Sequence, residues 1–417
     1  MPVHRMSLKV LSAICCVCLA GWGLPSSHAS TTPKSKPSVT RAAGPAAKEG
    51  LAEARLIQIY RLIGRSDTRT ALDEAQRLVR DYPNFALAQL VYGDLLSSRT
   101  RPVTSFGDVP ANQLKANTAA LASLRAESAA RLKALKERPP EGHIPAEFVR
   151  LSRTVKHAIA VDAARSRLYL FENRASGLSL VADYYISVGK LGVEKNSEGD
   201  QRTPLGVYFI TSQLDPKSLT DFYGVGALPI NYPNMLDVRR GKTGSGIWLH
   251  GTPPNQFSRP PLASDGCVVL ANPDLQHIIQ TVAIRSTPVV IANQLTWVPK
   301  DQAYNQSSAF EARLNAWRKA KSNGNLAELT SFYASDFSSG SKKRGDWQTV
   351  LAREVAQTRG RELQLKDLSM LRWQDKEDTM VVTFGEVAAG QRTGTSKRQY
   401  WSQRAGQWTI IYEGTSL

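Results

Sequence analysis

Cys267 and His250 are the two residues of this sequence whose types and spacing suit a chemical reaction. A free thiol has a pKa of about 8.5, so little of it is ionised at neutral pH and a nucleophilic cysteine needs a base beside it. Imidazole is the most frequent base in enzymes. His250 lies in the apolar stretch GIWLHG, and Cys267 follows after a loop that contains four prolines. We predict that this loop joins two neighbouring strand ends and lets the thiol and the imidazole meet.

The first 29 residues have the form of a secretory signal peptide. Arg5 and Lys9 precede an apolar stretch over residues 11–24, and small residues stand before a predicted cleavage site after Ala29. Three of the four cysteines lie within that stretch and leave with it. The remaining thiol, in an oxidising compartment, is either a buried small side chain or a reactive group. We predict an exported protein of the periplasm.

The sequence is basic. Its formal net charge of +17 falls to +15 without residues 1–29, because that segment holds two basic residues and no acidic one. A basic surface favours anionic partners. Export argues against nucleic acid, and no recognition helix stands out; the predicted partner is an anionic envelope polymer, and a generally solvated basic surface is the alternative. No later segment reaches the ~18 apolar residues that span a bilayer, so we predict no transmembrane segment in the mature protein.

The remainder of the chain begins with a tether and a helical part. Residues 30–48 are rich in Ser, Thr, Pro, Lys and Ala without an apolar period, which is typical of a flexible tether. Over residues 49–140, apolar residues recur at three- and four-residue intervals, which predicts helices. Pro83 predicts a break at Asp81 to Asn84, and a further helix is predicted over 111–137. The pattern resembles one tetratricopeptide-type (TPR-like) unit.

Two further domains are predicted. Over residues 153–293 the apolar period changes to two, as in HAIAVDAARSRLYLFEN and LSLVADYYISVGK, which predicts a mostly β domain. Residues 294–307 are polar and are predicted to be a linker. Over residues 308–417, two helices followed by several strands resemble the NTF2-like cone fold. The predicted fold class is a multidomain α+β protein.

The residues around the predicted nucleophile resemble a known family. His250-Gly251 followed by Ser264-x-Gly266-Cys267 is similar to the signature of the L,D-transpeptidase (YkuD-type) catalytic domain. Upstream, TPLGVY at residues 203–208 resembles another stretch of that family. The resemblance covers residues 155–293, about one third of the chain. It implies a mostly β catalytic domain with a cysteine nucleophile. No metal site and no cofactor are expected, because the mature sequence has neither paired cysteines nor two histidines at helical spacing.

Two residues depart from the family pattern, and they indicate which branch of the family this sequence resembles. Members of the main branch usually carry His at the place of Asp265, and Arg at the place of Val269. The missing arginine removes a cation that would stabilise the thiolate or orient the substrate. Together with the N-terminal helices and the NTF2-like domain, this variant looks most like the cell-shape-determining branch, which includes an L,D-carboxypeptidase.

The resemblance also implies a mechanism on peptidoglycan stem peptides. His250 takes the proton of Cys267, and the thiolate attacks the carbonyl of the third stem residue, so that D-alanine leaves and a thioester remains. The backbone N–H groups of Gly266 and Cys267 are the expected oxyanion donors, and Ser264 is expected to orient the imidazole. Transfer of the acyl group to an amine is transpeptidation, and transfer to water is carboxypeptidation. The sequence leaves both open.

Residues around the predicted site are candidates for contacts with the substrate. Gly251, Trp248 and Tyr232, with Tyr223, are candidates for a substrate groove, although aromatic residues in strands are more often core. Residues 232–246 resemble a mobile cover, because the segment is glycine-rich and basic. Lys190, Lys195 and Arg202 are candidates for binding substrate carboxylates. An unknown ligand or a dimer contact is expected at the NTF2-like domain, and a non-catalytic wall-binding scaffold remains an alternative to the enzyme.

Overall fold

The computed structural model describes residues 48–108, 111–305, 307–358 and 360–416. The predicted signal peptide and all but the last residue of the predicted tether lie outside the described residues. That last residue belongs to a two-residue strand, β1 (Lys48–Glu49), which pairs in parallel with a long strand of the central domain. None of the described helices combines the length and the apolar character needed to cross a membrane.

Four helices follow β1, in the region where helices were predicted, and the break between the first two was not predicted. They are α1 (Leu51–Gly64), α2 (Thr68–Asp81), α3 (Ala86–Ser97) and α4 (Ala111–Lys136). Asp67 caps α2, because its side chain accepts a hydrogen bond from the backbone N–H of Thr70 (3.2 Å). The break around Pro83 is confirmed, since α2 ends and α3 begins on either side of it. Small and apolar side chains of α1, α2 and α3 pack together in one buried cluster.

A ten-stranded sheet forms the centre of the molecule. The elements over residues 143–292 are β2 (His143–Pro145), β3 (Phe148–Arg150), β4 (His157–Asp162), β5 (Arg167–Arg174), β6 (Gly177–Gly189), β7 (Gly206–Phe209), β8 (Ala227–Pro229), α5 (Met235–Arg239), β9 (Trp248–His250), β10 (Leu262–Ser264), β11 (Val268–Leu270), α6 (Asn272–Thr281) and β12 (Pro288–Ala292). The strand order is β7-β12-β4-β5-β6-β11-β9-β8, and β1 and β10 also pair with β6. The alternating segments at 157–189 thus form the middle of the sheet.

The segment 294–307, predicted to be a linker, is folded. It forms β13 (Trp297–Pro299) and α7 (Lys300–Asn305), and β13 pairs with β2 in an antiparallel manner. The ring of Trp297 packs edge-on against Tyr169 of β5, with the centroids 5.0 Å apart. The polar composition of the segment hid this aromatic anchor, which holds the chain against the central sheet.

The C-terminal part has the predicted order of helices followed by strands. Its elements are α8 (Ser308–Ser322), α9 (Leu326–Ser331), β14 (Ser338–Ser339), β15 (Lys342–Lys343), α10 (Arg344–Thr358), β16 (Leu363–Gln374), β17 (Asp378–Ala388), β18 (Thr395–Arg404) and β19 (Gln407–Thr415). The long strands form a sheet in the order β19-β18-β17-β16-β3. Its fifth strand, β3, therefore comes from the segment just before β4 and not from the C-terminal part of the chain.

The two faces of this second sheet bury different partners. Side chains of α8 and α9 pack against one face, around the fully buried Trp317 and Trp401. The other face shares a buried cluster with the central domain, in which Leu371 and Tyr400 pack with Phe209. The NTF2-like part is thus fixed to the central sheet through an apolar interface.

Buried ion pairs join the N-terminal helices to the central sheet. Glu53 of α1 pairs with Arg131 of α4 (2.9 Å) and with Arg167 of β5 (2.8 Å), and Arg167 also pairs with Asp183 of β6 (2.9 Å). The side chains of Glu53, Arg131 and Arg167 are at most 3% exposed. Buried charges are tolerated only when they are paired, so each member depends on the others.

Candidate active site

The strand register makes Cys267 and His250 neighbours. Strands β11 and β9 are parallel, with Val268 opposite Leu249 and Val269 opposite His250. Cys267 lies one residue before β11, so continuing this register sets it opposite Trp248, two residues from His250 along the neighbouring strand.

The thiol of Cys267 is free and half-buried. Its Sγ donates to the carbonyl of Gly246 and accepts from the backbone N–H of Trp248, each at 3.4 Å. Within the described residues it forms no hydrogen bond to His250. Burial raises the pKa of the Cys267 thiol to about 11, although the Trp248 N–H and the charge of Arg259 act in the opposite direction. The thiol is therefore protonated at neutral pH, and a base has to remove its proton.

The imidazole of His250 is fixed as a base. The ring is buried, and its Nδ1 lies 2.7 Å from the carbonyl oxygen of Gly251. A carbonyl only accepts, so Nδ1 carries the proton and Nε2 of the neutral ring keeps a lone pair. Burial lowers the pKa of His250 to about 4; the hydrogen bond to Gly251 raises it and the nearby Arg259 cation lowers it. The ring is thus neutral at pH 7 and accepts a proton at Nε2.

Aromatic rings enclose the imidazole. The ring centroids of Tyr223 and Phe222 lie 5.0 and 5.9 Å from that of His250, and Tyr223 also contacts Trp248 (4.9 Å). Phe222 and Tyr223 come from a short 3-10 helix, Asp221–Tyr223, in the loop between β7 and β8. Trp248 and Tyr223 therefore border the site, and so does Phe222, which the sequence analysis missed.

Tyr232 lies apart from this aromatic wall. It is 5% exposed, its ring packs against Tyr208 (6.0 Å), and its hydroxyl donates to the carbonyl of Thr243 (3.1 Å). The expectation that Tyr232 lines a substrate groove is wrong, because its ring is buried in the core and its hydroxyl stabilises the loop that contains Thr243.

The segment 232–246 is anchored and is not a free cover. It contains α5, and two of its arginines form ion pairs with the C-terminal domain: Arg239 with Asp336, and Arg240 with Asp375. The basic residues suggested a lid over an anionic substrate, but they have acidic partners within the chain. The segment ends at Gly246, whose carbonyl accepts the hydrogen bond from the Cys267 thiol.

The turn before the nucleophile requires a glycine and two hydroxyls. Gly266 has φ +126°, and a side chain there would press on the carbonyl of Arg202. Ser264 Oγ donates to the Cys267 carbonyl (2.6 Å) and accepts from the Gly266 N–H (3.1 Å), while Thr203 Oγ1 donates to the Gly266 carbonyl (2.9 Å). Two expectations change. The Ser264 hydroxyl contacts the backbone of its own turn and not the imidazole, and the Gly266 N–H already donates to Ser264, so of the two expected oxyanion donors only the Cys267 N–H stays a candidate.

Gly251 and Asn272 hold the imidazole in place. Gly251 is buried, its carbonyl accepts from His250, and its N–H donates to the carbonyl of Tyr223 (3.1 Å). A methyl group on Gly251 would collide with the side chain of Asn272. Asn272, at the beginning of α6, accepts from the N–H of Thr252 (3.1 Å) and donates to its carbonyl (2.8 Å). Gly251 is thus a support for the base and not a substrate contact, and Asn272 is a positioning residue that the sequence analysis missed.

The three cations expected to bind substrate are occupied. Lys190 pairs with Asp265 (2.9 Å), Lys195 is buried and pairs with Asp200 (2.8 Å), and Arg202 donates to a backbone carbonyl. Asp265, which replaces the usual histidine, is exposed and holds Lys190 at the surface. The described residues contain no group of His, Cys, Asp and Glu side chains that could hold a metal ion.

Arg259 is a cation of the site that the sequence analysis missed. It is 8% exposed, and its guanidinium carbon lies 4.4 Å from the ring centroid of Phe222. Its charge acts on both the thiol and the imidazole. A signal was available, because Arg259 is the only basic residue between His250 and Cys267.

Comparison with known proteins agrees with this organisation. The YkuD profile, described as the L,D-transpeptidase catalytic domain, matches residues 156–291, and the Cds6 C-terminal NTF2-like domain matches residues 309–414. Bdellovibrio bacteriovorus Bd1075 is 23% identical, covering 66% of this chain and 98% of that structure, with a TM-score of 0.56. The helical cell shape determining protein Pgp2 from Campylobacter jejuni is 21% identical, covering 69% and 99%, with a TM-score of 0.52. Among curated proteins, no similar sequence was found.

Proposed function

Because the chain contains a YkuD-type L,D-transpeptidase catalytic domain followed by a Cds6-type NTF2-like domain, we propose that it is a periplasmic cysteine enzyme acting on peptidoglycan stem peptides. One observation carries this proposal: Cys267 immediately precedes β11, His250 ends the adjacent parallel strand β9, and the imidazole is held with Nε2 unprotonated. The basic composition of the chain fits a wall polymer rich in carboxylates.

The first step is removal of the thiol proton. In the unliganded protein the thiol donates to the Gly246 carbonyl, so it has to leave this acceptor and turn towards His250 when substrate binds. Such catalytic hydrogen bonds often form only in the substrate complex. Nε2 takes the proton, and Sγ attacks the carbonyl carbon of the third stem residue. The Cys267 N–H stabilises the resulting oxyanion.

The second step expels D-alanine. The tetrahedral intermediate collapses, the C–N bond to D-alanine breaks, and the imidazolium returns its proton to the leaving amine. A thioester between Cys267 and the third stem residue remains. We propose that an amine of a neighbouring stem peptide then attacks the thioester, forms a new amide bond and releases the thiol, which is L,D-transpeptidation.

Transfer to water is the second candidate. The observation that favours it is the similarity to the helical cell shape determining protein Pgp2, together with Val269 in the place where the main transpeptidase branch usually has arginine. In this reaction water hydrolyses the thioester and leaves a tripeptide, which is L,D-carboxypeptidation. Trimming stem peptides would affect cell shape by removing donors for cross-links.

Mass spectrometry separates these reactions. Purified disaccharide tetrapeptide is incubated with the protein, with Cys267→Ala and with His250→Gln. Loss of D-alanine with gain of water indicates carboxypeptidation, and a dimer joined through the third residues indicates transpeptidation. Both products should fall by at least 1,000-fold in Cys267→Ala. Unchanged tetrapeptide with the wild-type protein, combined with normal binding to peptidoglycan, would instead support a non-catalytic scaffold.

We further propose that the NTF2-like domain binds the wall polymer through a cleft that it shares with the catalytic domain. The cleft has a volume of about 560 Å³. Its charged residues are four cations and one acid: Arg285, Lys366, Arg392, Arg398 and Asp367. Within the described part of the chain, none of the four cations forms an ion pair. The guanidinium of Arg398 lies 3.6 Å from the ring centroid of Phe209, so the catalytic domain itself orients this cation.

Co-sedimentation with peptidoglycan tests this cleft. The inactive Cys267→Ala protein is compared with the same protein carrying Lys366→Glu and Arg392→Glu, two exposed positions of the cleft. Binding should fall at least tenfold and depend on salt. Exposed Lys342 and Lys343 on β15 provide the matched double charge reversal outside the cleft, and Lys342→Glu combined with Lys343→Glu should have a smaller effect. Equal loss in both variants would show that only overall charge matters.

A further inference from the structure

Arg259 is a nearly buried cation without an anionic partner of its own. Within the described part of the chain it forms no ion pair, and the two nearby groups that could offset its charge when ionised are the thiol of Cys267 and the carboxylate of Asp265. The thiol is protonated at neutral pH, and the Asp265 carboxylate is already engaged by Lys190 and Gln201. Among the residues that the structure describes, the guanidinium therefore has no dedicated counter-ion.

A buried cation without a counter-ion lowers the stability of the fold, and an anionic ligand that binds to it would offset this cost. Burial disfavours the charged guanidinium and lowers the pKa of Arg259, and an uncompensated buried charge destabilises a fold. The side chain is nevertheless held in place: its guanidinium stacks on Phe222, and its backbone carbonyl accepts a hydrogen bond from Tyr185 (2.8 Å). A fixed cation with free donors beside a nucleophile is suited to an anionic substrate group.

The location of Arg259 limits which substrate group it can meet. Phe222 contacts both the guanidinium of Arg259 and the imidazole of His250, so the cation lies on the same side of the site as the base. The base has to reach the leaving amine, because it returns the proton to that nitrogen. In a tetrapeptide stem, the α-carboxylate of D-alanine is only two bonds from this nitrogen. The leaving residue therefore brings an anion close to the imidazole.

We propose that Arg259 binds the free carboxylate of the departing D-alanine and thereby restricts the enzyme to stems that end one residue after the scissile bond. This inference rests on the proposed function and specifies its substrate. Arg259 supplies from the proline-rich loop the cation that Val269, buried on β11, cannot supply. The planar guanidinium offers a carboxylate two parallel hydrogen bonds, which an amide or a longer chain would not reproduce.

The test compares two substrates that differ only in this carboxylate. Release of D-alanine from the tetrapeptide and of D-alaninamide from its C-terminal amide is measured as kcat/KM with the purified full-length protein. The wild-type enzyme should prefer the free acid by about 100-fold, the loss expected when a buried charged partner is left unpaired. Arg259→Met should lose about 100-fold on the acid and less than threefold on the amide, and Arg259→Lys should keep part of the preference.

The ratio of kcat/KM for the acid to kcat/KM for the amide distinguishes a role of Arg259 in substrate recognition from a role in folding. A purely structural role of Arg259 would lower both rates equally and leave the preference intact, which would overturn the proposal. Lys190→Met is the matched control, since this cation is already paired with Asp265 and its loss should leave the ratio unchanged. If Arg259→Met does not fold, the wild-type ratio decides: equal rates on acid and amide refute carboxylate recognition. A wild-type protein that cleaves neither substrate refutes the proposed function itself.

Discussion

The burial of His250 leads to an unusual pH dependence. An ordinary imidazole with a pKa of 6.5 is only about 9% neutral at pH 5.5, whereas one with a pKa of about 4 is about 97% neutral. The catalytic base has to be neutral, so kcat/KM at pH 5.5 should stay close to its value at pH 7. Without the shift it would fall about tenfold. The acidic limb of the profile, which reports the free enzyme, should lie near pH 4.

The assay is D-alanine release from the tetrapeptide at low substrate concentration, between pH 4 and 8. Reversibility is checked by returning acid-treated enzyme to pH 7, so that unfolding is not mistaken for titration. An acidic limb near pH 6.5 would refute the reasoning, because it would mean that the imidazole is as hydrated as in a free peptide. In that case the aromatic wall of Phe222 and Tyr223 would not shield the base.

The lowered pKa of His250 should also make the free energy of unfolding depend on pH. The unfolded chain protonates His250 at about pH 6.5, and the folded protein does so only at about pH 4, so the unfolded state takes up the proton first as the pH falls. The stabilisation is present above pH 6.5 and is lost as the pH falls towards 4. Between pH 7 and 4.5 the loss amounts to about 2 kcal/mol. In urea unfolding, the free energy of unfolding of His250→Gln should fall by about that much less between pH 7 and 4.5 than that of the wild-type protein. Identical losses in the two proteins would contradict the lowered pKa of His250.

Three further predictions test the surroundings of the site. Glu53→Gln should destabilise the protein by about 3–5 kcal/mol in urea unfolding, because it leaves the buried guanidinium groups of Arg131 and Arg167 with too little negative charge. The control is Glu74→Gln, which breaks a more exposed pair with Arg77 and should cost less than about 1 kcal/mol. Similar losses of stability in the two variants would contradict the argument. Gly251→Ala should cost about 1–3 kcal/mol through its collision with Asn272, measured by the same method, whereas Gly64→Ala, at a position with open space, should not destabilise. Alkylation of Cys267 by iodoacetamide at pH 7 should be roughly 300-fold slower than that of a small free thiol, because its pKa is raised to about 11; a rate above that of the free thiol would show that the unliganded enzyme already holds a thiolate.

The sequence predicted those features that depend on neighbouring residues. The alternation over 157–189 marks strands that run through the middle of the sheet, and Pro83 marks the end of a helix because its effect on the preceding residue is local. Cys267 and His250 were found for a chemical reason, since a lone exported thiol needs a base and few histidines are available. Strands β8, β10 and β11 have three residues each, too few to show a period.

The remaining site features depend on contacts between distant segments. Ser264 was assigned to the imidazole, but its hydroxyl meets the backbone of its own turn, and only the folded turn shows which atoms are within reach. Tyr232 and Trp248 are both aromatic residues near strands; one fills the core and the other borders the base, which no local pattern distinguishes. Arg259 and Asn272 act across loops that are far apart in sequence.

Strand β3 has a consequence for how the protein is made. It is synthesised before the catalytic domain, yet its partner β16 begins more than two hundred residues later. A chain whose synthesis has just passed β12 thus carries both Cys267 and His250 while the apolar side of its central sheet is still uncovered. A fragment that stops after the catalytic domain is expected to aggregate, because the last quarter of the polypeptide provides the layer that shields this surface.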